Sequence, residues 1–391
     1  MGQMCEGLIS LGHEVSVITS FPHYERFRVW DEYRGKLYER ASYRGMDVLR
    51  LWVYASGSKQ NSLRRLASYL SFNAAATIGG LLQRGAFDVI LCPNGSFFTG
   101  LSSAIVGAPR RVPFVYNVQD LYPEAPARSG QLRSRSAVAG LKVIERVMYR
   151  LATHITVITP SFQEYLVSTK GVPPEKVSVI PNFVDTQFIR PLPKVNDFSR
   201  DHGLADKFVV SHSGNVGSVY DLETMLHAAA RMTGQKDILF LIVGDGVAKA
   251  GLERKAAELG VENVRFLPFQ PHEKLPWLRA ACDVQVSLYR REQADYSMPS
   301  KIYEIMASGR PVLASAEVES DVRRLVDETG CGICIAPENT DELVEAVLGL
   351  YRDPARREDM AQRGRETVER RYSKQTVVAQ YHELFQRVAK H

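Results

Sequence analysis

The sequence predicts an α/β fold of open, largely parallel sheets. Two observations carry that expectation. Short apolar runs alternate with helical patterns along nearly all of the 391 residues, which is the rhythm of βαβ units. The runs are apolar at successive rather than alternate positions, as strands covered on both faces are. A third observation, the chain length, asks for two domains rather than one core.

The elements follow in order. Gln3 to Leu11 reads as a helix ended by Gly12, and "HEVSVITS" as the strand after it. "DVILCP", "VPFVYNV", "HITVITP" and "VSVIPN" are the further strands of the first half. A doubly wound domain ordinarily opens strand–turn–helix; here the expected first strand and its glycine-rich turn are missing from the pattern. The segment "IPNFVDTQFIRPLPKVNDFSRDHGL", punctuated by prolines, breaks the alternation near residue 190 and is read as a hinge. "FVVSHSGN", "ILFLIVGDG", "VRFLPF", "CDVQVSLY" and "RPVLAS" are the strands of the second half, and "KQTVVAQYHELFQRVAK" is a closing helix. The expected domains are 1–190, 191–372 and the returning helix 373–391.

Bulk properties exclude several classes. No apolar run reaches 18 residues, so a spanning helix is not expected. The opening residues have no basic segment before an apolar block, so no secretory signal is read and the cytoplasm is the default. Five cysteines, an odd number, point to reduced thiols. Cys331 and Cys334 form a C-x-x-C inside "GCGICIAP", which reads as an apolar strand; no second pair completes a zinc site. The net charge of +5 is uneven. Residues 1–195 carry 23 Lys and Arg against 14 Asp and Glu; the remainder carries 26 against 30. The basic half fits either an anionic partner or a solvated surface.

In open α/β sheets ligands bind beyond the carboxyl ends of the strands, where helix N-termini present N–H groups to anions. Gly214-Asn215-Val216-Gly217 ends one strand of the second half, and its glycines let a phosphate approach the backbone. Gly244 and Gly246 end another, where a plain tight turn is the equal alternative. "YSMPSKIYEIMASGRPVLAS" is the most telling stretch. Pro299 suits a first helical turn, Gly309 a helix end, and Pro311 forbids continuation. Between them Lys301 and Glu304 share a face at i, i+3 among Ile302, Ile305 and Met306. A carboxylate there accepts the hydroxyls of a ribose, and the lysine adds positive charge where a diphosphate rests.

Taken in order, "SVIPNFVD", "SGNVGSVYDLETMLHAA", "FLIVGDG", "VRFLPFQPHEKLPWLRAACDVQVSLY" and "PSKIYEIMASGRPVLAS" resemble the second domain of a GT-B glycosyltransferase of family 4. The resemblance covers nearly the whole chain. With "VQDLYPEAP" it is similar to the transferases of bacterial O-antigen, capsule and exopolysaccharide assembly, closest to the N-acetylfucosamine transferase-like members. It implies two Rossmann-like domains facing across a cleft, a nucleotide sugar on the second, an acceptor on the first, and a last helix crossing back. It assigns Glu304 to the ribose, Phe269 and Gln270 to the base, and Gly214, Asn215, Gly217, Gly244 and Ser300 to the donor. Where the family commonly carries an earlier glutamate, an arginine and a lysine, this chain has Tyr296, Asn215 and Tyr220. The diphosphate therefore needs other cations. Lys301 is the candidate, with Arg290 and Arg291 weighed against a solvated loop.

The family implies a retaining, metal-independent transfer in which fixed cations stabilise the leaving diphosphate. UDP is the expected nucleotide, no cofactor or metal is expected, and no nucleic acid is a partner. Asp120 and Glu124, in a polar loop after a strand, are the candidate catalytic acids toward the acceptor; turn formation is the bland alternative for Asp120, and the donor phosphate itself can take the hydroxyl proton. The implied acceptor is a polyprenyl-diphosphate-linked saccharide. Residues 57–85 place Arg64, Arg65 and Arg84 among Leu, Tyr and Phe, either as a basic amphipathic segment on an anionic membrane or as a core helix with polar ends. The expected location is the cytoplasm, peripheral on the inner face of the plasma membrane. Two other readings stand beside this one: a UDP-N-acetylglucosamine 2-epimerase-like enzyme, and an N-terminally truncated, inactive nucleotide-binding protein.

Overall fold

A computed structural model describes residues 1–23, 28–55, 57, 62–94, 98–122, 134–291 and 298–389. They make two compact units: Met1–Pro181 with Val377–His391, and Asn182–Thr376.

In the first unit the strands are β1 Ser16–Ser20, β2 Tyr38–Tyr43, β3 Met46–Leu51, β4 Ile90–Pro93, β5 Phe114–Val118, β6 His154–Val157 and β7 Val177–Val179. They divide into two sheets, β1-β3-β2 and β4-β5-β6-β7. The second sheet is wholly parallel, and Val115, Ile155 and Val157 are completely buried within it. The first is mixed, because β2 and β3 form an antiparallel hairpin that the reading of buried runs did not foresee. Its two-residue turn is Arg44-Gly45, with φ of 49° and 81°, the left-handed pair that matches strand twist in a type I′ turn.

The helix Lys374–Ala389 contributes most of its length to this unit. Its Tyr381 hydroxyl accepts from Asn117 Nδ2 at 2.8 Å. Gly7 of the helix Gly2–Ser10 lies under Val378 so closely that a Cβ would stand 2.7 Å from Cγ2.

The second unit is built on one six-stranded sheet: β8 Phe208–Ser213, β9 Ile238–Val243, β10 Val264–Leu267, β11 Val284–Ser287, β12 Val312–Ser315 and β13 Gly332–Ile335. All its ladders are parallel, in the order β10-β9-β8-β11-β12-β13. This is the doubly wound order whose chain reversal falls between β8 and β11. Both faces are covered. Val210, Phe240, Ile242 and Val286 pack with Met225, Leu226 and Leu343 on one side; Val209, Leu239 and Leu241 pack with Phe198, Leu204 and Leu278 on the other. Two-sided burial is why these strands lack polar alternation.

The proline-bearing stretch read as a hinge belongs to this second unit by its contacts. Arg365 donates to the carbonyls of Thr186 and Ile189, each at 3.0 Å. Arg310 donates to the carbonyl of Leu192 at 3.3 Å.

Candidate active site

Beyond the carboxyl ends of β8, β9 and β10, the second unit opens a pocket of about 270 Å³. Its floor is made by two interlocked turns. After β8, Gly214 takes φ 135°, and after β9 Gly244 takes φ 142°. Gly214 N–H donates to the carbonyl of Val243 at 2.9 Å, and Val216 N–H to that of Asp245 at 2.9 Å. A Cβ on Gly244 would sit 1.8 Å from the carbonyl oxygen of Gly214. Glycine is required here by backbone meeting backbone.

The helix Ser300–Ala307 forms one wall. Pro299 stands at its N-cap, and Gly309, at φ 63°, follows its end. Its first turns bring Ser300, Lys301 and Glu304 into the pocket, where Gly214, Gly244, Phe269 and Gln270 also lie. Seven of the residues singled out by sequence thus share one wall-and-floor arrangement. Asn215 and Gly217 complete the glycine turn without lining the pocket: Asn215 is exposed and Gly217 buried.

Lys301 reaches across the floor. Its Nζ lies 3.3 Å from Nε2 of His212 and 4.5 Å from the centre of the Tyr220 ring, a cation–π distance. Burial, reinforced by the Arg279 guanidinium, pulls Lys301 down to about 7, against an opposing pull from Glu304. His212 is fully buried, and its ring nitrogen lies 3.2 Å from the carbonyl oxygen of Asn215. Burial and the neighbouring Lys301 hold it well below the ordinary histidine range, so it stays neutral.

Pattern reading missed Arg279. It lies in the short helix Leu275–Ala280, is 3% exposed, and lines the pocket. One arm of its guanidinium donates to Gln285 Oε1 at 2.6 Å, and the other pairs with Glu304 Oε2. Arg279, Gln285 and Glu304 are far apart in sequence, so no spacing rule reveals the contact. The available signal was a lone arginine in an apolar run, "WLRAACDVQV". Tyr220 and Tyr289 were likewise missed as lining residues; their hydroxyls are 3.3 Å apart.

The two arginines weighed for a diphosphate are turned elsewhere. Arg290 donates to the carbonyl of Ser218 at 3.0 Å and pairs with Glu223 at 3.3 Å. Arg291 pairs with Glu317 at 3.2 Å and donates to the carbonyl of Pro337 at 3.1 Å. Neither lines the pocket, because the loop after β11 spends both on its own neighbours.

In the first unit Asp120 follows β5. Its carbonyl accepts from Asn94 Nδ2 at 2.7 Å, while Asn94 Oδ1 accepts from Gln119 N–H at 2.9 Å. These bonds fix the loop backbone beyond the ends of β4 and β5; Asp120 keeps exposed surface there, while partial desolvation pushes its carboxyl above the usual carboxylate range. Glu124 and Tyr296 lie outside the described residues. Cys331 is buried and Cys334 partly so, both as free thiols.

Two family models match successive parts of this chain. Residues 1–182 match the glycosyl transferase 4-like domain, and residues 195–367 match glycosyl transferases group 1. The putative colanic acid biosynthesis glycosyl transferase WcaI of Escherichia coli K12 is 27% identical over 395 residues, covering 97% of this chain and 93% of the relative. Among solved structures, Anabaena Alr3699/HepE in complex with UDP superposes with a TM-score of 0.71 at 19% identity, covering 95% of this chain and all of the other. Sucrose-phosphate synthase from Thermosynechococcus elongatus superposes at 0.74 with 18% identity, covering 99% and 92%. The chain is a glycosyltransferase of GT-B fold, assembled from a glycosyl transferase 4-like half and a glycosyl transferases group 1 half.

Proposed function

We propose that this glycosyltransferase moves a hexosyl or N-acetylhexosaminyl group from a UDP-linked sugar onto a polyprenyl-diphosphate-linked saccharide in surface-polysaccharide assembly. The anomeric configuration is retained, and neither a metal nor a cofactor takes part. One observation carries the donor half of this reading: the pocket beyond β8–β10 sets Lys301 and Arg279 around the Glu304 carboxylate over a glycine-built floor. Such a site favours an anionic ligand that also carries a diol.

In this reading Glu304 accepts the ribose hydroxyls and Lys301 faces the diphosphate. The backbone at Phe269 and Gln270 holds the base, and Gly214 and Gly244 admit the sugar and phosphates. Charge that builds on the leaving diphosphate is met by a cation already in place. Asp120 orients the acceptor hydroxyl or takes its proton, with Glu124, four positions on in the sequence, as the second candidate acid. UDP is preferred over other nucleotides because the superposable Anabaena structure holds UDP. The polysaccharide setting follows the Escherichia coli relative, a putative colanic acid biosynthesis glycosyl transferase, and the branch read from the sequence is the N-acetylfucosamine transferase-like one.

The acceptor side is supported by the helix Ser62–Leu82. Arg64 and Arg65 are exposed on it together with Leu63, Leu66, Tyr69 and Leu70, and Trp52 and Tyr54 are exposed nearby in the chain. A basic surface with apolar side chains suits peripheral contact with an anionic membrane, here the inner face of the plasma membrane. No helix among the described residues is long and apolar enough to cross a membrane.

Calorimetric titration of UDP, with GDP and ADP as controls, tests the donor reading. UDP is expected to bind at least about tenfold more tightly than either control, a difference of about 1.4 kcal/mol. Failure of all three to bind removes the reading.

A further inference from the structure

We infer that Arg279 is a positioning residue: it locks the Glu304 carboxylate in place and so sets this enzyme's discrimination between ribose and 2′-deoxyribose nucleotides. The inference deepens the donor reading above and rests on it.

A closed circuit of hydrogen bonds carries it. Arg279 is 3% exposed. One arm of its guanidinium pairs with Glu304 Oε2, and the other donates to Gln285 Oε1 at 2.6 Å. Gln285, on β11, turns its amide nitrogen to Ser308 Oγ at 3.0 Å and to the Arg279 carbonyl at 3.3 Å. Ser308 is the C-cap of the helix that bears Glu304, and its hydroxyl donates to the carbonyl of Ile305 at 2.7 Å. The helix is thus held at its carboxylate and at its end by the same guanidinium, once directly and once through Gln285. A planar fork makes both contacts with one fixed geometry, which a lysine cannot.

The consequence concerns which oxygen is left. Glu304 Oε2 is taken by Arg279, and the Glu304 side chain is 38% exposed toward the pocket. A carboxylate pinned on one side presents its remaining lone pairs in one direction, so a vicinal diol meets a preset acceptor. A ligand lacking the 2′-hydroxyl leaves part of that acceptor unpaired, and a site built to hydrogen-bond a hydroxyl discriminates strongly against analogues without it. An unpinned glutamate would swing to water and discriminate less. The same circuit also stabilises the fold, since buried polar networks are high-stakes, so stability alone is no test of positioning.

The experiment measures the affinity ratio of UDP to 2′-deoxy-UDP by calorimetry for the full chain and for Glu304→Ala, Arg279→Met and Arg279→Lys, each first shown to melt cooperatively. The unsubstituted protein is expected to prefer UDP by at least about tenfold. Glu304→Ala and Arg279→Met bring the ratio to within about twofold of one, and Arg279→Lys, which keeps charge and loses the second anchor, falls between. A ratio collapsed in Glu304→Ala but kept in a folded Arg279→Met overturns the positioning role and leaves the ribose reading intact. If Arg279→Met does not fold, Arg279→Lys decides: an unreduced ratio overturns the role. An unchanged ratio in Glu304→Ala overturns the ribose reading and this inference with it.

Discussion

Lys301 and His212 face each other with Nζ 3.3 Å from Nε2, a cation set against a neutral, fully buried imidazole rather than against a carboxylate. Around that ammonium stand Tyr220 beneath it, Arg279 as a second positive charge and Glu304 as a partial counterweight. Its value of about 7 means that the free pocket holds the proton loosely. A bound diphosphate favours the charged form, so binding above about pH 7 takes up a proton. The expected outcome is that UDP affinity is level below pH 7 and falls, by up to about tenfold per unit, above it. Titrations at pH 8 in buffers of different ionisation enthalpy check this by the proton uptake they report, and Lys301→Met abolishes that uptake. The same shift has the opposite sense for unliganded stability. The unfolded lysine stays protonated up to about its ordinary 10.5, so this group's contribution rises with pH from about 7 toward 10.5.

Gly244 and Gly251 make a contrasting pair. Gly244→Ala drives a Cβ to 1.8 Å from the Gly214 carbonyl oxygen at a φ of 142°, so the two turns of the pocket floor must separate. A loss of more than about 2 kcal/mol in stability is expected, with UDP binding lost alongside. Gly251 lies in the helix Lys249–Glu258 with open space where a Cβ would go. Gly251→Ala is expected to stabilise by about 0.5–1 kcal/mol and leave binding unchanged. Urea denaturation and titration of both variants check the contrast. A neutral Gly244→Ala would mean the turns are looser than their geometry indicates.

How much of this was legible beforehand depends on range. The inner strands of the second half, β8, β9, β11 and β12, were readable because every residue in them is buried, which leaves mainly apolar runs in the sequence. The glycine floor and the Lys301–Glu304 face were readable because each is a local pattern, a turn or an i, i+3 pair. Arg279, Gln285 and His212 were not, because their roles exist only after β8, β11 and two helices converge. The hairpin β2–β3 escaped for another reason. No residue of β2 is buried, Asp47 and Arg50 interrupt the apolar run of β3, and the turn is Arg-Gly instead of the more familiar Asn-Gly.

Arg290 and Arg291 supply a negative prediction. Each already bonds to a carbonyl and a carboxylate of its own surroundings, and exposed pairs of this kind contribute about 1 kcal/mol or less. Arg290→Ala and Arg291→Ala are expected to change UDP affinity by less than about twofold. Titration of the two variants decides it: a tenfold loss in either would show that the arginine leaves its present partners for the diphosphate.

The exposed face of the helix Ser62–Leu82 yields the last prediction. Leu63 is 78% exposed and Leu70 47%, and such side chains flanked by arginines gain by entering a lipid interface. Each basic residue near an anionic surface adds about 1 kcal/mol, a contribution that salt screens within about 10 Å at 0.1 M. Co-sedimentation with vesicles of mixed neutral and anionic lipid is therefore expected to fall steeply with added salt. Arg64→Glu with Arg65→Glu should weaken it by tenfold or more, on the order of 2 kcal/mol for the two lost attractions, while UDP affinity in the second unit stays as it was. Leu63→Ser with Leu70→Ser should weaken binding without altering its salt dependence, because apolar burial is insensitive to ionic strength in this range. If the charge reversals leave sedimentation unchanged, this helix is not the membrane face.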